Sequence, residues 1–223
     1  MADDPRDLFD NDKMLSSLLD RYRQGDDAER KRLEKMAWDI YGIEEAVFVL
    51  DMSGFTKTAL HDGIFHFLHL IDVMKRIAVP VIHLKCGAVL KYQADNIFAR
   101  FVDIPDAVDA ALALFRELDK YNQTQEPRFQ IDASIGIDYG PLLLLREDDF
   151  FGNAMNIASK LGEDMAGKHE LLVSRQVRDA MPAELQPRFE EITGHELPAG
   201  ISVFKWTGPY DVELTPLDDL LLK

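Results

Sequence analysis

"AVFVLDMSGFT", residues 46–56, is an apolar run that ends on Asp51 and turns at once into a Gly-Phe-Thr loop. A short apolar run bounded by a turn signal reads as a buried strand. A carboxylate that closes such a strand and is followed by glycine fits two purposes. It caps the next helix by accepting bonds from free backbone N–H groups, or it holds a cation together with a second carboxylate.

Outward from this strand the pattern alternates. "GIFHFLHLIDVMKRI" reads as a helix with Phe65, Leu68, Ile71 and Met74 on one face. "PVIHLKCGAVLKYQADNIFARFVD" reads as strand, tight turn and strand, pivoting on Ala94, Asp95 and Asn96, with Cys86 lining a strand as a small apolar residue. "IPDAVDAALALFRELDKYNQ" is a helix opened by Pro105 and Asp106. "FQIDASIGIDYGPLLLL" reads as a strand and then a hairpin arm, punctuated by Gly136 and Gly140. "NAMNIASKLGEDMAG" is helical, with Asn156 and Lys160 four apart on one face. "ELLVS" is a short strand, "RQVRDAM" a short helix, and "FEEITGHELPAGISVFKWTG" a closing pair of strands. Helices interleave with close hairpins, so the expected class is an α+β sandwich and not a doubly wound parallel sheet.

Upstream, residues 1–42 form a charged extension; 43–210 hold the main domain and 211–223 a tail. Leu33, Met36, Ala37 and Ile40 recur at amphipathic spacing, after a break and a start signal at Asp26 and Asp27. This helix either packs on its own domain, with Trp38 as anchor, or serves dimer formation and signalling to a regulatory partner.

The chain has 223 residues and is 47% hydrophobic, which suits one full domain plus an extension. A net charge of −15 argues against binding nucleic acid or an anionic membrane through a general basic field. One cysteine allows no intrachain disulfide and no cysteine zinc cluster. The start lacks signal-peptide order and no apolar run is long enough for a span, so a cytoplasmic location without membrane insertion is expected. The six histidines show no HExxH spacing, and there is no Walker loop or GxSxG elbow.

Asp95 lies in the strand–turn–strand that follows Asp51, and two adjacent strands can bring both carboxylates to one sheet edge. That arrangement suits two Mg²⁺ ions about 3.5–4 Å apart in phosphoryl chemistry. "FVLDMSGFT", "GAVLKYQADNIFARF", "SIGIDYGPLLL", "DFFGNAMNIASKLGE" and "GKHELLVS" together resemble the ordered motifs of class III nucleotidyl cyclase catalytic domains, from about residue 45 to 207. The resemblance implies a ferredoxin-like α+β sandwich with a βαββαβ core, working as a head-to-tail homodimer with sites at the interface. It implies two Mg²⁺ or Mn²⁺ ions per site, held at Asp51, Asp95 and Met52. It places Lys91 and Asp149 as adenine selectors, the lysine donating to N1 and the aspartate accepting from the 6-amino group. Asn156 would orient the ribose, and Gly54, Phe55 and Thr56 would bring backbone N–H groups to the triphosphate. The implied activity is conversion of ATP to 3′,5′-cyclic AMP and pyrophosphate.

Three positions depart from the family pattern. Lys160 stands where the family has its transition-state arginine, keeping the charge but losing the planar fork. Ala94 replaces the turn glycine before the second aspartate, and Pro198 falls about where many members carry a phosphate-facing lysine. Two alternatives therefore stand beside adenylate cyclase: a cyclase of another base specificity, for GTP or a pyrimidine, and a degenerate domain that binds a nucleotide or partner without turnover.

Overall fold

The computed structural model describes residues 11–52, 62–146, 149–194, 200–212 and 214. Two helices, α1 (Asn11–Gln24) and α2 (Asp27–Tyr41), lead into strand β1 (Gly42–Met52). Then follow α3 (Ile64–Leu84), β2 (Ala88–Gln93), β3 (Asn96–Phe101), α4 (Ile104–Asn122), β4 (Ala133–Arg146) and β5 (Asp149–Phe151). Helix α5 (Asn153–Ser159) runs on as a π-helical turn, Lys160–Met165, before β6 (Leu171–Ser174), α6 (Arg175–Ala180), β7 (Phe189–Ile192) and β8 (Val203–Trp206).

The strands make one sheet in the order β2-β3-β1-β4-β6-β8-β7, with β5 paired to β4. The first four strands with α3 and α4 form the expected βαββαβ core. β1 runs antiparallel to both β3 and β4, and β4 pairs in parallel with β6. Alternation along β1 divides the molecule. Ala46, Phe48, Leu50 and Met52 enter the main core under α3 and α4, while Val47 and Val49 face a smaller cluster with Leu90, Phe98, Leu142, Phe150, Ala154 and Ala158. Helix α4 lies close on the sheet because it presents Ala107, Ala110 and Ala111, all fully buried. A buried ion pair, Lys85 Nζ to Asp109 Oδ2 at 2.8 Å, ties the end of α3 to α4.

Several local expectations are corrected. Helix α3 continues through Pro80 to Leu84, so "PVIHL" is helical, not extended. Its buried face is Phe67, Leu70, Ile71, Met74, Ala78 and Ile82; Phe65 and Leu68 are exposed. Cys86 is exposed in the turn after α3, with φ 61°, and lines no strand. Asn96 begins β3, which leaves Ala94 and Asp95 as a two-residue turn. β4 is a single 14-residue strand with Gly136 and Gly140 inside it. A Cβ on Gly136 would lie 2.2 Å from the Ala158 carbonyl oxygen and 2.3 Å from the Gly162 nitrogen, so that glycine admits the α5 segment, not a bend.

At the N-terminus, Asp26 caps α2 by accepting from the Glu29 N–H at 2.8 Å, as the start signal there predicts. The helix pair is held by Leu18, Leu33 and Tyr41, with Leu143 and Leu145 of β4 packed against them. Met36, Trp38 and Ile40 are exposed, so Trp38 is not the anchor.

Candidate active site

The site assembles at one end of β1. Leu50 pairs with Ile97, and both side chains enter the main core. One step further along each strand, Asp51 of β1 and Asn96 of β3 therefore turn to the opposite face, the face of Val49 and Phe98. Asp95 sits in the turn beside them. The β2–β3 hairpin thus delivers the second carboxylate to the first.

Electrostatics register their proximity. Burial, followed by the negative charges of Asp95, Glu163 and Asp164, pushes the Asp51 carboxyl up to about 7, against a bond from the Met52 N–H that favours ionisation. Burial also raises Asp95, which is 8% exposed. Among the described residues neither carboxylate has a cationic ion-pair partner. Ionising both carboxylates in this buried place is unfavourable, and a divalent cation would offset that cost.

These donors fit magnesium or manganese. Both carboxylates are hard oxygen ligands, and among the described residues no three His, Cys, Asp or Glu side chains converge as a self-sufficient cage. Mg²⁺ characteristically takes one or two carboxylates and completes its shell with water and substrate phosphates. The Met52 side chain lies in the main core, so only its backbone is on offer to an ion.

Lys91 lies on the same face. The register shift between Val89 and Lys91 leaves Leu90 as an extra residue, so that Leu90 and Lys91 both meet the smaller cluster. The Lys91 Nζ sits 5.1 Å from the Phe98 ring centroid and 5.5 Å from that of Phe150. Such contact with two ring faces holds an ammonium in place without spending its hydrogen-bond donors. Phe150 follows Asp149, which pairs with Arg146 at the base of β5; of Asp149 only the backbone is described. Lys91 and the Asp149 strand, 58 positions apart in sequence, thereby come together.

Asn156 and Lys160 project from the exposed side of α5. Lys160 Nζ pairs with Asp164 Oδ2 at 2.7 Å, with both side chains solvent-accessible. The segment is fastened through Gly162, where a Cβ would lie 2.8 Å from the Val49 carbonyl oxygen. This is why Glu163 and Asp164 come within electrostatic reach of Asp51, and π-helical turns often mark functional segments. Residue patterns alone gave no sign of Glu163, Asp164 or Asn96. Gly54, Phe55, Thr56 and Pro198 lie outside the described residues.

No protein-family model matches the chain, and no curated protein matches it. Solved structures do. An adenylate/guanylate cyclase/hydrolase from Silicibacter pomeroyi superposes with a TM-score of 0.65 at 23% identity, over 75% of this chain and 98% of that one. The guanylate cyclase domain of a Catenaria anguillulae protein, solved with GTP, gives 0.63 at 14%, over 75% and 98%. The adenylyl cyclase CyaB from P. aeruginosa gives 0.61 at 16%, over 74% and 95%. The chain has the α+β fold of class III nucleotidyl cyclase catalytic domains.

Proposed function

We propose that this chain, built on the cyclase fold, is an adenylate cyclase that converts ATP to cyclic AMP and pyrophosphate in a head-to-tail homodimer. The observation that carries the reading is the proximity of Asp51, at the end of β1, to Asp95 in the β2–β3 turn, on the face that also presents Lys91. Bound there, two Mg²⁺ or Mn²⁺ ions would supply Lewis-acid activation of the ribose 3′-oxygen and neutralise the triphosphate.

The chain's own residues bind and orient. Asp51 and Asp95 hold the ions, and the Met52 carbonyl is a further oxygen at the same strand end. Lys91 donates to N1 of adenine while Asp149 accepts from the 6-amino group; guanine offers the reverse pattern at those atoms. Gly54, Phe55 and Thr56 bring backbone N–H groups to the phosphates. Asn156 orients the ribose so that its 3′-oxygen, its proton passing to solvent, attacks the α-phosphorus in line while the bond from that phosphorus to the α,β-bridging oxygen breaks and pyrophosphate leaves. Lys160 places positive charge on the phosphoryl oxygens as negative charge develops. Because Asn156 and Lys160 are exposed, they are available to a second copy. The protein acts in the cytoplasm, and a regulatory partner reaches it through the N-terminal helices.

The test is to incubate the protein with Mn²⁺ and ATP, GTP, CTP or UTP and identify cyclic products by mass. Cyclic AMP as the main product, with the preference for ATP lost in Lys91→Ala, is the expected result. Another cyclic nucleotide would overturn the roles of Lys91 and Asp149. One observation favours a second reading, a nucleotide-binding module without turnover: the cation in the arginine's place is a lysine already paired with Asp164. If no product forms, Lys160→Arg reads whether that residue silences the chain, since a preorganised donor is typically worth ~10²–10³ in rate.

A further inference from the structure

Asn96 is assigned no role by the turn chemistry that explains its neighbours, yet it occupies an unusual place. It is 8% exposed, and its Oδ1 has no hydrogen-bond partner among the described residues. A buried amide oxygen left unpaired carries a desolvation penalty that folding must offset elsewhere. By alternation its side chain shares a sheet face with Asp51, each lying one step beyond the last β1–β3 pair, Leu50 and Ile97, and it follows Asp95 in the chain. An unspent oxygen lone pair therefore lies at the strand end that carries Asp51 and the turn that carries Asp95.

We propose that Asn96 is a positioning residue for the divalent cation, its Oδ1 supplying an oxygen, directly or through one water, to the ion held by Asp51 and Asp95. The inference rests on the metal-dependent reading given under Proposed function. A neutral donor suits this position. In the metal-free protein Asp51 already feels Asp95, Glu163 and Asp164, so a further carboxylate would add repulsion that an amide does not, whereas with the cation bound either kind of oxygen can coordinate. The orphaned oxygen then has a purpose: its cost is borne by the apoprotein and recovered when the cation binds.

The experiment titrates Mn²⁺ into the protein without nucleotide, following the free ion by electron paramagnetic resonance, beside melting curves of the metal-free protein. Asn96→Leu, close in shape but apolar, is expected to weaken Mn²⁺ binding about tenfold, the low end for losing a supporting residue. It should leave the metal-free melting temperature unchanged or higher, because the unpaired oxygen is gone. Asn96→Asp, which restores an oxygen, should recover the affinity. Wild-type affinity in Asn96→Leu overturns the proposal. So does a loss of affinity that Asn96→Asp fails to restore and that accompanies a lower melting temperature, since that is what a purely structural role gives. Asp51→Asn separates the two levels: Mn²⁺ binding indifferent to that change refutes the metal reading itself, and the role of Asn96 with it.

Discussion

Asp51 couples the candidate site to stability. With its carboxyl raised to about 7, the folded chain keeps a proton there that the unfolded chain releases near the ordinary carboxylate value of 3.8. Between those values the native state binds more protons than the unfolded one, so stability falls as pH rises across the window. Melting temperatures of the metal-free protein should therefore decline from about pH 4 to pH 7, and Asp51→Asn should flatten that decline and melt higher at pH 7. A wild-type slope in the variant would show that the carboxyl is not strained. Ala94 gives a second residue-scale test. It adopts φ 53° in the β2–β3 turn, a conformation that costs a residue with a Cβ about 1–2 kcal/mol. Ala94→Gly relieves that strain but orders a freer unfolded chain, a loss of about 0.5–1 kcal/mol. The expected net gain is between about 0 and about 1.5 kcal/mol, read from denaturant unfolding.

Elements decide which of these residues meet. The extension of β1 to a carboxylate and the pairing of β2 with β3 were legible, because an apolar run closed by a turn signal and the turn residues Ala94, Asp95 and Asn96 are local signals, though Asn96 proves to begin β3. The α5 segment was legible as a helix but not as a π-helical turn, which depends on its seat against the sheet. Gly136 shows the difference: its neighbours in sequence suggest a bend, whereas its reason is the Ala158 carbonyl oxygen and Gly162 nitrogen of another element. Gly136→Ala should accordingly cost about 1–3 kcal/mol or more, as overpacking does, and should disturb Lys160 and the π-helical turn first. Hydrogen exchange of residues 158–166 would read it; unchanged protection there would contradict the fitted notch. Helix α3 misled for a similar reason. Pro80 signals a break, yet the helix passes through it, and its core-facing side follows from where α4 and the sheet lie.

Across the whole molecule, five ordered motifs carried the fold, because a βαββαβ core makes its sheet order from connections that the sequence punctuates clearly. A single chain, where Lys160 pairs with Asp164, itself within electrostatic range of Asp51, does not display the proposed service of Asn156 and Lys160 to a second copy's aspartates. Both project outward from α5, while Asp51 and Asp95 lie at the end of β1. In the proposed dimer each site takes its aspartates from one copy and its asparagine from the other. Two inactive variants then complement: a mixture of Asp51→Asn and Asn156→Ala chains contains hybrid dimers with one intact site. The decisive measurement is cyclic AMP formation from ATP and Mn²⁺ by each variant alone and by the mixture. Near-background turnover is expected from either variant alone, with clear recovery on mixing. Failure to recover, with hybrid dimers present and wild-type protein active, would contradict a site shared between two copies.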